Sequence, residues 1–125
     1  EQGIEAPGML YKHYSPRAEL LLFNGSADAL IPAMRTYAIK QIEQSKKVGL
    51  LLPANEMHKV SDLPVETVTL GSTEAEVSHN LFSAMRSLDQ TGVDLILVHG
   101  FGRSGLGAAI WDRLLRAAEG HIIEV

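Results

Sequence analysis

The sequence predicts a three-layer, Rossmann-like α/β domain: a mostly parallel sheet of about five strands between helices, preceded by an extended linker. Three observations carry this. Short apolar runs alternate along the chain with stretches whose apolar residues recur at helical spacing. Most of those runs are too continuously apolar for strands with one wet face, so helices are expected on both faces of the sheet. Turn residues separate most neighbouring pairs, and strand–helix–strand units of this kind join by right-handed crossovers.

The elements follow in order. Glu19–Phe23 (ELLLF) reads as a buried strand ended by Asn24-Gly25. From Asp28 to about Lys46, the residues Leu30, Met34, Tyr37, Ala38 and Ile42 form a helical stripe, with Pro32 expected in its first turn. Val48–Leu52 (VGLLL) is a second strand, stopped by Pro53, and Asn55–Pro64 reads as loop with room for one helical turn. Val65–Leu70 (VETVTL) alternates, so one face of this third strand is expected to be less buried. Thr73 and Glu76 have capping-box spacing, and Val77, Leu81, Ala84, Met85 and Leu88 stripe the helix behind them up to a stop at Gly92. Val93–Val98 (VDLILV) is the fourth strand. After the glycine-rich turn Gly100–Gly107, Leu106, Ile110, Leu114 and Ala118 stripe a third helix ending at Gly120, and His121–Val125 is the fifth strand.

A chain of 125 residues is long enough to close one core without staples. It has no cysteine, which excludes disulfides, thiol catalysis and thiolate metal sites. Its net charge of −4 argues against direct, sequence-independent nucleic-acid binding. No apolar run approaches the ~20 residues of a membrane helix, so no membrane association is expected. Residue 1 is glutamate rather than methionine, so the chain is expected to be a piece of a longer one.

Two segments carry candidate chemistry. Gly100-Phe-Gly102-Arg-Ser-Gly105 satisfies G-x-G-x-x-G between a strand and a helix, and Glu124 follows at the end of the next strand. In a dinucleotide site the backbone N–H groups and the helix N-terminus would receive pyrophosphate, and the acid would hold a ribose. Against this, the fingerprint normally occupies the first strand–helix–strand unit, whereas here it lies in the last. Bulky His99 and Phe101 also stand beside its first two glycines. A tight turn that needs glycine is the favoured reading, with a stand-alone nucleotide or dinucleotide module using Gly100, Gly102, Gly105 and Glu124 as the alternative. His13, His58, His79, His99 and His121 show no metal-ligand spacing, and His79 reads as part of a solvated helix face. His99 is placed at the C-terminal edge of the sheet. No metal site, nucleophile elbow or Walker loop is predicted.

The other segment is the linker, residues 1–18, which precedes the domain of residues 19–125. It shows neither helical nor alternating periodicity, and Pro7-Gly8 and Ser15-Pro16 favour turn and extended backbone. Tyr11-Lys12-His13-Tyr14-Ser15-Pro16-Arg17 gathers two cations, a histidine, two phenols and a hydroxyl. Extended, it sets Tyr11, His13 and Ser15 on one side and Lys12, Tyr14 and Pro16 on the other. Such a ribbon offers donors to a phosphate or carboxylate and rings to an apolar wall.

Ala6-Pro-Gly-Met-Leu-Tyr-Lys-His-Tyr-Ser-Pro-Arg-Ala18 resembles the interdomain linker of the two-domain YrdC/YwlC-type threonylcarbamoyl-AMP synthases. Gly92-Val93-Asp94, Gly105-Leu-Gly-Ala-Ala-Ile110 and Arg113-Leu-Leu-Arg-Ala-Ala118 resemble further stretches of that family in the same order. The resemblance implies a cytoplasmic parent enzyme that condenses L-threonine, bicarbonate and ATP, with magnesium, into L-threonylcarbamoyladenylate and pyrophosphate. The product serves the t6A modification of tRNA adenosine 37. It further implies an N-terminal YrdC-like catalytic domain of about 200 residues outside this chain. The chain itself is then the accessory C-terminal domain, with no catalytic residue and no cofactor of its own. Its linker would be a lid in which Tyr11, His13 and Tyr14 face the cleft, Lys12 balances phosphate or carboxylate charge, and Pro16 completes the motif. Leu10 stands where the family usually carries lysine, His99 where glutamate is common, and Trp111-Asp112 where a Met-Asn pair is usual.

Overall fold

The computed structural model describes residues 16–101 and 106–125. Five parallel strands, β1 (Glu19–Asn24), β2 (Val48–Pro53), β3 (Glu66–Gly71), β4 (Leu95–His99) and β5 (Ile122–Glu124), form one sheet in the order β3-β2-β4-β1-β5. Three α-helices connect them: α1 (Ala27–Glu43), α2 (Glu74–Asp89) and α3 (Leu106–Ala117). The adjacent strands β2 and β3 are joined by a 3-10 segment, Ala54–Val60. The sheet is wholly parallel, as the continuous apolar strands predict.

Alternation along the strands divides the core in two. Leu20, Leu22, Leu51, Ile96 and Val98 point to the face covered by α2 and α3, where they meet Val77, Leu81, Met85, Ile110 and Leu114. Leu21, Phe23, Leu50, Leu52, Leu95 and Leu97 point to the other face and meet Leu30, Ile31, Met34 and Ala38 of α1. Central β4 is buried at every position, whereas edge strand β3 exposes Glu66, Thr67 and Thr69, polar residues that suit an unpaired edge. The connection from β1 to β2 runs toward the β3 edge, and those leaving β3 and β4 run toward the β5 edge. A common crossover hand therefore puts α1 on one face and α2 and α3 on the other.

Local chemistry fixes the helix starts. Thr73 Oγ1 accepts the Glu76 N–H at 3.1 Å, and Glu76 Oε1 accepts the N–H groups of Ser72 and Thr73 at 2.7 and 3.3 Å. This is the capping box read from the sequence. Pro32 is a correction. Helix α1 begins at Ala27, which puts Pro32 inside the helix, one turn beyond the expected place. Pro32 and Asp28 are both exposed, so the carbonyl four residues back that loses its donor has access to water. Gly49 of β2 is dictated by packing: a Cβ there would lie 2.8 Å from Leu88 Cγ, and Leu88 is fully buried. Across the surface, the Arg35 guanidinium forks onto Asp62 at 2.7 and 2.9 Å and also donates to the Lys59 carbonyl, tying the β2–β3 connection to α1.

Candidate functional site

The described ends of the two segments singled out from the sequence lie at opposite rims of the sheet. Residues 16–18 lead into β1 at its N-terminal end, level with Leu95, while Gly100 follows β4 at the C-terminal end, level with Phe23 and Asn24. Four residues of strand separate the two levels, roughly 13 Å. The described residues of the two segments do not form one site.

At the C-terminal rim, β1 and β4 are neighbours whose next helices lie on opposite faces, which is where a parallel sheet opens a crevice. His99 ends β4 and is buried, and its Nδ1–H donates to the Gly100 carbonyl at 2.8 Å. Burial pushes this imidazole below its ordinary pKa, against the opposite pull of the Gly100 carbonyl and the Glu56 charge, and so favours the neutral ring. Glu56 belongs to the 3-10 segment. Its Oε1 is shielded from solvent, with Lys59 Nζ at 2.9 Å but no aligned hydrogen bond among the described residues.

Gly100 has a structural cause. Its N–H donates to the Phe23 carbonyl at 2.8 Å, and a Cβ on it would stand 2.5 Å from that same oxygen. Any side chain at position 100 would force β1 and β4 apart. Glu124 ends β5, which pairs with β1 and not with β4, so it lies two strands from the strand that precedes the glycine loop. In the dinucleotide arrangement the acid ends the strand next to the loop. Here Glu124 Oε1 accepts a hydrogen bond from Asn24 Nδ2 at 3.1 Å. The long crossover over β1 thus moves the acid away from the place the fingerprint needs. Gly102 and Gly105 lie outside the described residues.

At the N-terminal rim the described part of the linker is Pro16–Ala18. Ala18 is buried against the core, and Pro16 is half-buried beside a hollow of about 350 Å³ that is also lined by Arg17, Glu19, Glu119 and His121. The root is held by backbone donors. Asp89, the last residue of α2, accepts the Arg17 N–H on Oδ2 and the Ala18 N–H on Oδ1, each at 3.0 Å. The Glu19 N–H then donates to the Asp94 carbonyl at 3.1 Å. Asp94 in turn accepts the Lys47 N–H on its side chain at 2.8 Å, linking the starts of β1, β2 and β4. Sequence reasoning missed Asp89. The available signal was an acid at a helix C-terminus, where the dipole disfavours negative charge. Tyr11, Lys12, His13 and Tyr14 lie outside the described residues.

His79 is exposed on α2, as expected of a solvated face. Among the described residues no group of three or more His, Asp or Glu side chains is placed to hold a metal ion, and no helix is long and apolar enough to cross a membrane.

Comparison with known proteins matches residues 1–119 to the family of the threonylcarbamoyl-AMP synthase C-terminal domain. The chain is 38% identical to the threonylcarbamoyl-AMP synthase of Pyrococcus abyssi over 97% of its own length and 34% of the relative's. It is 36% identical to that of Schizosaccharomyces pombe over 91% of its length and 29% of the relative's. The chain thus spans about a third of the curated relatives it matches. Among solved structures, P. abyssi Sua5 complexed with L-threonine superposes with a TM-score of 0.82 at 39% identity, over 96% of this chain and 34% of that one. A C-terminal Sua5 domain from Pyrococcus horikoshii, crystallised as that domain, superposes with a TM-score of 0.68 at 29% identity, over 89% of this chain and all of that one. The fold, and a family match that runs from residue 1 to residue 119, lead to one conclusion: this chain belongs to the family of threonylcarbamoyl-AMP synthase C-terminal domains.

Proposed function

We propose that this chain is the accessory, lid-bearing domain of a cytoplasmic threonylcarbamoyl-AMP synthase and is not catalytic by itself. The observation that carries the reading is the continuous match from residue 1 to residue 119, which includes the linker motif and the α/β domain together. In this reading an N-terminal YrdC-like domain joins L-threonine, bicarbonate and ATP into L-threonylcarbamoyladenylate with release of pyrophosphate, for the t6A modification of tRNA. That domain holds the nucleotide and its magnesium. The L-threonine bound by the P. abyssi relative supports the substrate class.

The linker covers the cleft while the adenylate exists. An acyl-adenylate is a mixed anhydride that water destroys, so closing the site protects the product as well as ordering the reactants. Tyr11, His13 and Tyr14 supply the closing surface, Lys12 offsets phosphate or carboxylate charge, and Pro16 starts the turn onto the domain. A solved variant of P. abyssi Sua5 has adjacent histidine and tyrosine residues replaced with alanine. This chain contains a single His-Tyr pair, His13-Tyr14, which favours its functional importance.

Pyrophosphate release tests the reading. With L-threonine, bicarbonate and ATP, the isolated chain should release none, whereas the full-length enzyme should release it steadily. Turnover by the isolated chain would refute an accessory role.

A further inference from the structure

We propose that the face made by α1 and β5 is the seat of the domain that precedes this chain in the longer protein, and that this neighbour offers an apolar side chain to the groove there and a carboxylate to Lys40. The inference deepens the proposed function and rests on its reading that a further domain comes before this one.

Strand order leaves this face uncovered. β5 lies at one edge of the sheet, beyond β1. On one side of the sheet Ile122 packs on the cluster that α2 and α3 close. On the other side α1 packs on β1, β2 and β4. Between α1 and β5 an open groove of about 410 Å³ remains, with Phe23 and Ile123 as its floor and Pro32, Ala33, Thr36 and Tyr37 as its wall. Parallel sheets are ordinarily covered on both faces, so the half-buried Ile123 marks a place where cover is missing.

The groove carries the parts of an interface. Tyr37 sets its ring edge-on to Phe23, with centroids 5.7 Å apart, and stays half-buried. A ring already held in place offers apolar area and a hydroxyl to a partner, as interface anchors do. Lys40 lines the same groove and is exposed, which adds a cation for an acid to meet. The opposite edge is finished differently. β3 exposes Glu66, Thr67 and Thr69, while Met57, Leu63 and Val65 of the connection before it pack against the core on the face that α1 covers. The β5 edge has no such cover among the described residues.

Two facts choose the occupant. The P. abyssi relative has about two thirds of its length outside the match, and the matching family is the C-terminal domain, so most of that remainder precedes it. The chain also enters the domain at this edge, since Pro16 and His121, the residue before β5, line one hollow of about 350 Å³. A covalently attached neighbour is held at an effective concentration on the order of millimolar, so a shallow groove is enough to seat it. A second copy has no such tether and needs roughly 800 Å² on each partner, a far larger face than this groove.

Zero-length carbodiimide cross-linking of the full-length protein, read by peptide mass spectrometry, tests the seat and identifies its occupant. In the monomer, Lys40 should be joined to an aspartate or glutamate that precedes residue 1. Ala33→Glu, which puts a carboxylate into the apolar groove, should lower the yield of that link by at least about tenfold. Pro32→Glu alters an exposed residue of the same groove and carries the same expectation where Ala33→Glu fails to fold. A Lys40 link to residues of this chain alone, a link confined to cross-linked dimers, no Lys40 link, or an unchanged yield in the folded variants would each overturn the proposal. The accessory reading fails separately. If the link forms while the isolated chain releases pyrophosphate by itself, the seat stands and that reading falls. If no link forms while the isolated chain stays inactive, the seat falls and the reading stands.

Discussion

Alanine at Tyr11 or His13 is expected to lower kcat for adenylate formation in the full-length enzyme by about 10- to 100-fold, with the melting temperature of this domain shifted by no more than about 2 °C. The two halves of this expectation have separate causes. Among the described residues both core clusters are built from Ala18 onward, and a side chain that faces the cleft would contribute to neither. In the proposed lid role these side chains would close over reactants and keep water from the anhydride, an effect that appears in turnover and not in folding. A specific signature follows: more ATP should be consumed for each adenylate captured, because an open cleft lets water compete. Steady-state kinetics with product capture, beside thermal unfolding, checks both halves. Unchanged kinetics in both variants would remove the lid role.

The second large effect concerns the glycine loop. Gly100→Ala is expected to destabilise the domain by about 3 kcal/mol, the upper part of the usual overpacking range, lowering its melting temperature by on the order of 10 °C. The added Cβ would meet the Phe23 carbonyl oxygen at 2.5 Å. That oxygen is backbone in the neighbouring strand and already accepts the Gly100 N–H at 2.8 Å, so no side chain can swing aside to relieve the contact. Relief requires β1 and β4 to separate, and these are the two strands that link the β3–β2 half of the sheet to β5. Thermal unfolding followed by circular dichroism measures the cost. A loss below about 1 kcal/mol would mean that the glycine is not required by strand packing and would return weight to a ligand role for the loop.

Much of this fold is legible in the sequence because its signals are local. The stripe Val77, Leu81, Ala84, Met85 and Leu88 is buried residue for residue in α2, and the Thr73–Glu76 box forms as the spacing implies. The continuous apolar runs at Leu20–Phe23 and Leu95–Val98 are strands buried on both faces. Strand order is different in kind, since it depends on which strands meet across the sheet. Nothing in the segment from Leu106 to Val125 announces that the crossover from β4 to β5 passes over β1. That one non-local fact separates Glu124 from the glycine loop and turns an apparent ribose ligand into a partner of Asn24.

The same limit hid the anchor of the linker. Asp89 is 71 residues from Ala18, and its two hydrogen bonds form only once α2 has packed against the sheet. The linker motif, by contrast, is read from its composition alone, since Tyr11 to Tyr14 lie outside the described residues. Two tyrosines, a histidine and a lysine in four positions combine rings with hydrogen-bond donors, and the surface they would meet is not written in the local sequence.

The proposed lid role requires the linker to close over substrate. Amide hydrogen exchange across residues 9–17 of the full-length enzyme measures that closure directly, with and without L-threonine, bicarbonate and a non-hydrolysable ATP analogue. Ligands should slow exchange at Tyr11 to Ser15 by at least about tenfold, leaving β1, β2 and β4 unchanged. Linker amides that exchange at the same rate in the free and the ligand-saturated enzyme would contradict the account.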